Sequence, residues 1–178
     1  MMGVQGIRRI GMEVSVRRLA EEDAPAWWAM RLEAVEREPR AFGQTPEEHR
    51  LMPMDEVRKL IRGEEGFLVG AFDGDTLVGI VRFARPARAK ERHKGHIHGV
   101  YVTASHRGQG LAGRMIRFVI DEMGGDPTLE QLLLAVAVGN RPARATYASL
   151  GFVGFGIEPR ALRAGDEYID EEHMVLRL

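Results

Sequence analysis

The chain has 178 residues, 25 Lys plus Arg against 26 Asp plus Glu for a formal net charge of −1, and no cysteine. Balanced, scattered charge argues against a nucleic-acid partner, and the missing cysteines exclude a disulfide framework, a thiol nucleophile and a thiolate metal site. The length suits one domain with one substantial core; no leader pattern and no apolar run near the ~18 residues of a membrane span occur, so a cytoplasmic protein with no membrane partner is expected.

Residues 1–11, "MMGVQGIRRIG", read as a flexible N-terminal extension, and 12–178 as the single domain. "MEVSVRRL" alternates Val14 and Val16 with Ser15 and Arg17, a strand. Asp23 as cap, Pro25 in the first turn and Trp28, Leu32 and Val35 at helical spacing predict a helix, broken by "PRAFGQTPEEH". A second helix is expected over Met54 to Ile61, then a hairpin of Phe67 to Phe72 and Leu77 to Phe83 around "DGD". "ARPARAKERHK" reads as an exposed loop before a strand over Gly95 to Val102.

A glycine-rich turn follows, then a helix on which Leu111, Met115, Phe118, Val119 and Met123 share a face, stopped at Gly124 and Gly125. "QLLLAVAV" is a continuous apolar run, the pattern of a strand covered on both faces. Asn140 caps a further helix carrying Ala143, Tyr147 and Leu150, with Gly151 as stop. Two short strands, Phe152 to Ile157 and His173 to Leu178, flank a charged connection, giving the order β-α-α-β-β-β-α-β-α-β-β.

The turn "SHRGQGLAG" fits three phosphate devices unequally. A nucleotide P-loop needs Lys-Ser or Lys-Thr after its glycines, and neither is there. Gly108-Gln109-Gly110-Leu111-Ala112-Gly113 matches G-x-G-x-x-G, but a dinucleotide site needs an acid at the end of the next strand, about 20 residues on, where this chain has Gly139-Asn140. The third device is Arg107-x-x-Gly110-x-Ala112, whose backbone N–H groups and helix dipole suit a pyrophosphate, with no Cβ to keep it away.

That pattern resembles the acyl-CoA motif of the Gcn5-related N-acetyltransferase (GNAT) superfamily, and "NRPARATYASLGF" resembles its second signature. The resemblance runs from Glu13 onward and implies an α/β (mixed α+β) fold: a mostly antiparallel sheet of about seven strands, flanked by helices and splayed between the fourth and fifth. It implies acetyl-CoA as co-substrate with no metal, and direct transfer to an amine on a small-molecule or peptide acceptor. The alternative is a noncatalytic acyl-CoA sensor or interaction module. A homodimer is the assembly that family habit suggests, with edge strands near the C-terminus as the physical hint.

By the same resemblance Val100 and Val102 offer backbone groups to the pantetheine arm, and the Val102 N–H is the oxyanion donor. Arg107, Gly108, Gly110, Leu111 and Ala112 surround the pyrophosphate, and Asn140 meets the arm near the thioester. Tyr147 holds the place of the tyrosine that protonates the thiolate; a phenol of pKa about 10 can donate without first ionising. The structural alternative for Tyr147 is core packing. Where some members carry a glutamate base this chain has His96, with His98 on the same strand face. Either imidazole could take a proton directly or through water, or serve no catalytic duty. A metal on His93, His96 and His98 is disfavoured, since only the last two share a face and no carboxylate is paired locally. On the acceptor side Trp27, Trp28, Glu33, Glu36 and Phe42 are candidates to receive a cationic amine, against core packing for Trp28 and a solvated face for Glu36.

Overall fold

The computed structural model describes residues 13–63 and 66–178, so the expected extension at 1–11 lies outside the described residues. The elements are β1 (Ser15–Arg18), α1 (Ala24–Arg37), α2 (Pro46–Arg50), α3 (Met54–Arg62), β2 (Gly66–Asp73), β3 (Thr76–Ala84), β4 (Lys94–Val102), α4 (Leu111–Met123), β5 (Gln131–Ala137), α5 (Arg141–Ser149), β6 (Val153–Ala164) and β7 (Glu167–Arg177). The strands form one seven-stranded sheet in the order β1-β2-β3-β4-β5-β7-β6. Neighbours run antiparallel except β4 and β5, which are parallel. No described helix is long and apolar enough to cross a membrane.

Helices cover the sheet unevenly. In front, α1 and α3 bury Trp27, Met30, Ala34 and Val57 against Leu68, Phe72, Ile80 and Tyr101. Behind, α4 and α5 bury Leu111, Met115, Ile116, Val119 and Tyr147 against the other sheet face, with Leu132, Leu134 and Val136 among their partners. Each face of β2 and β3 therefore meets a helix layer, which is why both strands read as apolar runs.

Four expectations need correction. Trp27, a candidate for the acceptor side, is buried in the front core instead, while Trp28 packs against that core half-buried, as expected, and donates its indole N–H to the Met52 carbonyl at 3.2 Å. Asp23 stands at the N-cap of α1, but its carboxylate accepts from the Ala20 N–H at 2.8 Å and from both ends of the Arg17 guanidinium. The break after α1 contains α2, started by a capping box between Thr45 and Glu48 and pinned by buried His49, whose Nε2 donates to the Trp28 carbonyl at 2.9 Å. The charged connection near the C-terminus is the body of a long β6–β7 hairpin. β6 exposes both faces over most of its length, so no apolar alternation marks it, and Pro159 is tolerated because β6 is an edge strand.

β5 also departs from expectation, in a way that makes the site. Only its rear face is covered, by the core around Leu132, Leu134 and Val136, while Leu133, Ala135 and Ala137 line an open cleft.

Candidate active site

The cleft opens because β4 and β5 pair only from Lys94–Gln131 to His96–Leu133 and then separate. Its volume is about 1340 Å³, and its walls are β4, the turn before α4, β5, the start of α5 and β7. A bulge in β4 helps to shape it: Ile80 faces Tyr101 and Arg82 faces His98, so two residues of β4, Gly99 and Val100, stand against one of β3. Gly99 takes φ +62, as a bulge of this kind requires. The extra residue reverses the alternation. His96 and His98 face front, yet beyond the bulge Tyr101 joins the front core while Val100 and Val102 pack against the rear one.

The bulge also sets the backbone's aim. The Thr103 N–H donates to Val78 O on β3 at 3.0 Å, so the Val102 N–H, one residue earlier, points the opposite way, toward the gap left by β5. The Val102 carbonyl accepts from Arg107 Nε at 2.9 Å, and the Arg107 Nη2 lies 2.9 Å from a Glu38 oxygen. The Arg107 side chain is thus folded back onto the end of β4, and its backbone is the part that adjoins the glycine turn.

At that turn Gly108 and Gly110 adopt φ +74 and +72, and a Cβ at either would meet nothing within 4 Å. Conformation, not crowding, demands glycine, and the space in front of both is open. Gly110 is the N-cap of α4 and has no side chain with which to cap it. The N–H groups of Leu111, Ala112 and Gly113 are among those a helix start leaves without intrahelical acceptors. Helix-start N–H groups without intrahelical acceptors, at the positive end of a helix dipole, have the chemistry of an anion site.

Asn140 caps α5, its Oδ1 accepting from the Ala143 N–H at 3.2 Å, and lines the cleft with Pro142 and Ala143. Tyr147, one turn further, is 7% exposed, lies edge-on to Phe152 with centroids 6.4 Å apart, and borders the cleft. Burial pushes its pKa up to about 12, so the phenol stays protonated at neutral pH. No described residue hydrogen-bonds its hydroxyl.

On the front face the rings of His96 and His98 stack at 5.7 Å with 4° between planes. Burial first, and then Lys94, lowers the His96 pKa. Water reaches His98 from the cleft, but its packed side and then the charges of His96, Arg82 and Arg31 push its pKa down to about 4. Both imidazoles are therefore neutral at pH 7, able to accept a proton.

The acceptor-side candidates divide. Glu33 is engaged, accepting from the Tyr101 hydroxyl at 2.8 Å and the Thr103 hydroxyl at 2.9 Å, and Glu36 pairs with Arg50. Phe42 lines the cleft, edge-on to Tyr101. Three features were missed from sequence: the bulge, Arg31, and Glu171 on β7. A lone glycine inside a strand pattern signals a bulge, so Gly99 was a legible sign. Glu171 lay in the stretch read as a connection; it lines the cleft with its pKa raised by burial, and no described residue hydrogen-bonds its carboxylate.

The sequence profile of the Acetyltransferase (GNAT) family matches residues 24–152, from the start of α1 through the glycine turn and α5. The chain belongs to the GNAT family. A GNAT-family acetyltransferase from Streptococcus pneumoniae superposes with a TM-score of 0.83 at 22% identity, covering 93% of this chain and 100% of that one. A putative acetyltransferase from Salmonella typhimurium, solved with its cofactor acetyl-CoA, gives a TM-score of 0.78 at 20% identity, covering 94% of this chain and 95% of that one. At these identities the likeness is one of fold. An uncharacterized protein of Mycobacterium leprae (strain TN) is 32% identical over 92 residues, which is 52% of this chain and 24% of that relative's length. The match therefore spans about a quarter of the curated relative.

Proposed function

We infer that this GNAT member is an acetyl-CoA-dependent N-acetyltransferase that passes the acetyl group directly to a primary amine. The observation that carries the reading is the continuity of one cleft, from the open N–H cradle at Gly108 to Ala112, past the inward N–H of Val102, to the buried phenol of Tyr147. The cradle accounts for a pyrophosphate, and the gap between β4 and β5 for the arm attached to it.

Acetyl-CoA, when bound, supplies an activated acetyl group: the acceptor nitrogen bonds to the carbonyl carbon, the carbon–sulfur bond breaks, and amide and free CoA result. The chain's residues serve the charges that this exchange creates. The Val102 N–H is aimed to receive the negative charge gathering on the carbonyl oxygen. Tyr147 gives its proton to the departing sulfur; a phenol held near pKa 12 donates only as that charge develops. The proton lost by the amine goes to His96 or His98 on the front of β4, directly or through water; with a pKa of about 4, His98 is a weak base that must hand the proton straight on to water. With no cysteine in the chain, no acyl-cysteine intermediate is available.

Calorimetric titration with acetyl-CoA, desulfo-CoA and NADH tests the reading. Binding of both CoA ligands and not NADH, followed by CoA release with an amine panel, supports it. Binding without turnover on any amine indicates a sensor instead, and no CoA binding removes the phosphate assignment.

A further inference from the structure

Glu171 lies on β7 as the cross-strand partner of Ala137 on β5, and residues directly opposite each other share a face of the sheet. Ala137 and Glu171 both line the cleft, on the open front. The next residue, Glu172, turns to the rear and pairs with Arg144 of α5. The other two acids that flank Glu171 on the hairpin are engaged as well. His173 Nε2 lies 3.0 Å from a Glu158 oxygen, and an Asp170 oxygen accepts from the Arg160 N–H at 2.8 Å. Glu171 itself is half-buried, and among the described residues its carboxylate has neither a hydrogen bond nor an ion pair.

The register of the strands fixes where this carboxylate stands. β4 and β5 share their last row at His96–Leu133, which Val175 continues on β7. The front-facing rows beyond it are Ala135–His173 and then Ala137–Glu171, so Glu171 stands past the row of His96, toward the parted end of the cleft. In the Glu171 row the Ala137 carbonyl accepts from the Asn140 N–H at 2.8 Å, which joins that row to the cap of α5, the helix that carries Tyr147. Burial raises the Glu171 pKa, while of the charges that reach it His173 lowers it and Glu158 raises it. A carboxylate drawn partly out of water and left without a partner is stabilised by any cation that comes to it. No three acids or histidines among the described residues group to hold a metal ion. An aliphatic amine, with a pKa of about 10, enters at pH 7 as an ammonium ion.

Resting on the acetyltransferase reading, we propose that Glu171 binds the acceptor as its ammonium ion, and so selects a strongly basic aliphatic amine over an uncharged one. The reacting nitrogen carries the charge itself, so the assignment asks for no second group on the acceptor. An arylamine, uncharged at pH 7, offers Glu171 no cation.

The test is a CoA-release assay on the full chain with butylamine, 1,4-diaminobutane, spermidine, lysine and phenethylamine set against aniline, run beside acetyl-CoA calorimetry. The wild-type protein should acetylate at least one of the alkylamines. Glu171→Gln should raise the KM for that amine about 10- to 100-fold, the factor that a charge-assisted hydrogen bond carries, with acetyl-CoA affinity unchanged, and Glu171→Asp should recover part of the loss. For aniline, followed as a substrate or as a competitor of the alkylamine, the same variant should show no change. Relieved of an unpaired charge, Glu171→Gln should unfold at no lower denaturant concentration than the wild type; earlier unfolding would show that the fold itself holds the carboxylate and would overturn the proposal. An unchanged alkylamine KM, or an equal loss for alkylamine and aniline, overturns this assignment and leaves the transfer reading standing. Failure to bind acetyl-CoA, or binding with no amine acetylated, overturns the transfer reading and this assignment with it.

Discussion

The two halves of the sheet obey different rules. β2 and β3 are buried along nearly their whole length between α1 and α3 in front and α4 behind. In contrast β6, on the other edge, leaves Val153 66% and Phe155 59% exposed, and the front of β5 and β7 has no helix over it. The same hydrogen-bonded sheet is a scaffold on one side and a surface on the other. The cleft lies at the seam, where cover stops and β4 parts from β5. Catalytic geometry of this kind gains from its place: one wall is held by a packed core, and the other stays free to meet solvent and ligand.

Substitutions on either side of the seam should separate the two rules. Leu132→Ala removes a fully buried side chain from the rear core and should cost about 2–5 kcal/mol of stability in a denaturant titration. A cost under about 1 kcal/mol would mean that β5 is not anchored as described. Tyr147→Phe, on the covered wall of the cleft, should lower kcat by about 10²–10⁴-fold with little change in acetyl-CoA affinity; undiminished kcat would reduce Tyr147 to packing. Gly110→Val forces a β-branched residue to φ +72, strain of about 1–3 kcal/mol, and should weaken acetyl-CoA binding by calorimetry while the far-UV circular dichroism of the protein is unchanged. Phe155→Ser on the exposed edge should move stability by no more than about 0.5 kcal/mol.

The histidine pair tests the seam electrostatically. With its folded pKa pushed from 6.5 down to about 4, His98 is neutral above that range, and its ring proton resonance should be still between pH 6 and 8. The sign for stability follows. Between 6.5 and about 4 the unfolded chain binds a proton that folded His98 refuses, so this group makes the protein less stable as pH falls through that window. Arg31→Gln removes one cationic neighbour and should raise the midpoint; a His98 midpoint already at its ordinary value would mean that neither burial nor the neighbouring charges act on the ring as described.

Much of the fold was legible because local chemistry and tertiary role coincide there. The β2–β3 hairpin, α4 and α5 carry their own turns, caps and apolar periodicity, and the glycine turn declares its backbone by composition. α2 had its capping box in plain view between Thr45 and Glu48 and was passed over as a break. The β6–β7 hairpin was hidden for a physical reason: its edge strand β6, with solvent on both faces, selects no apolar alternation, and the charges of the hairpin read as a loop.

By itself, then, the sequence determined the left-handed glycine turn, the helix that starts at it and the capped helix that carries Tyr147, since these are local matters. Only the tertiary structure decided where the strands part, which faces of β5 and β7 lie bare, and that Arg31 comes to rest against Gly99. Those outcomes depend on residues far apart in the chain, on helix cover and on a register shift of one residue in β4. Long-range packing sets them, and no local window contains it.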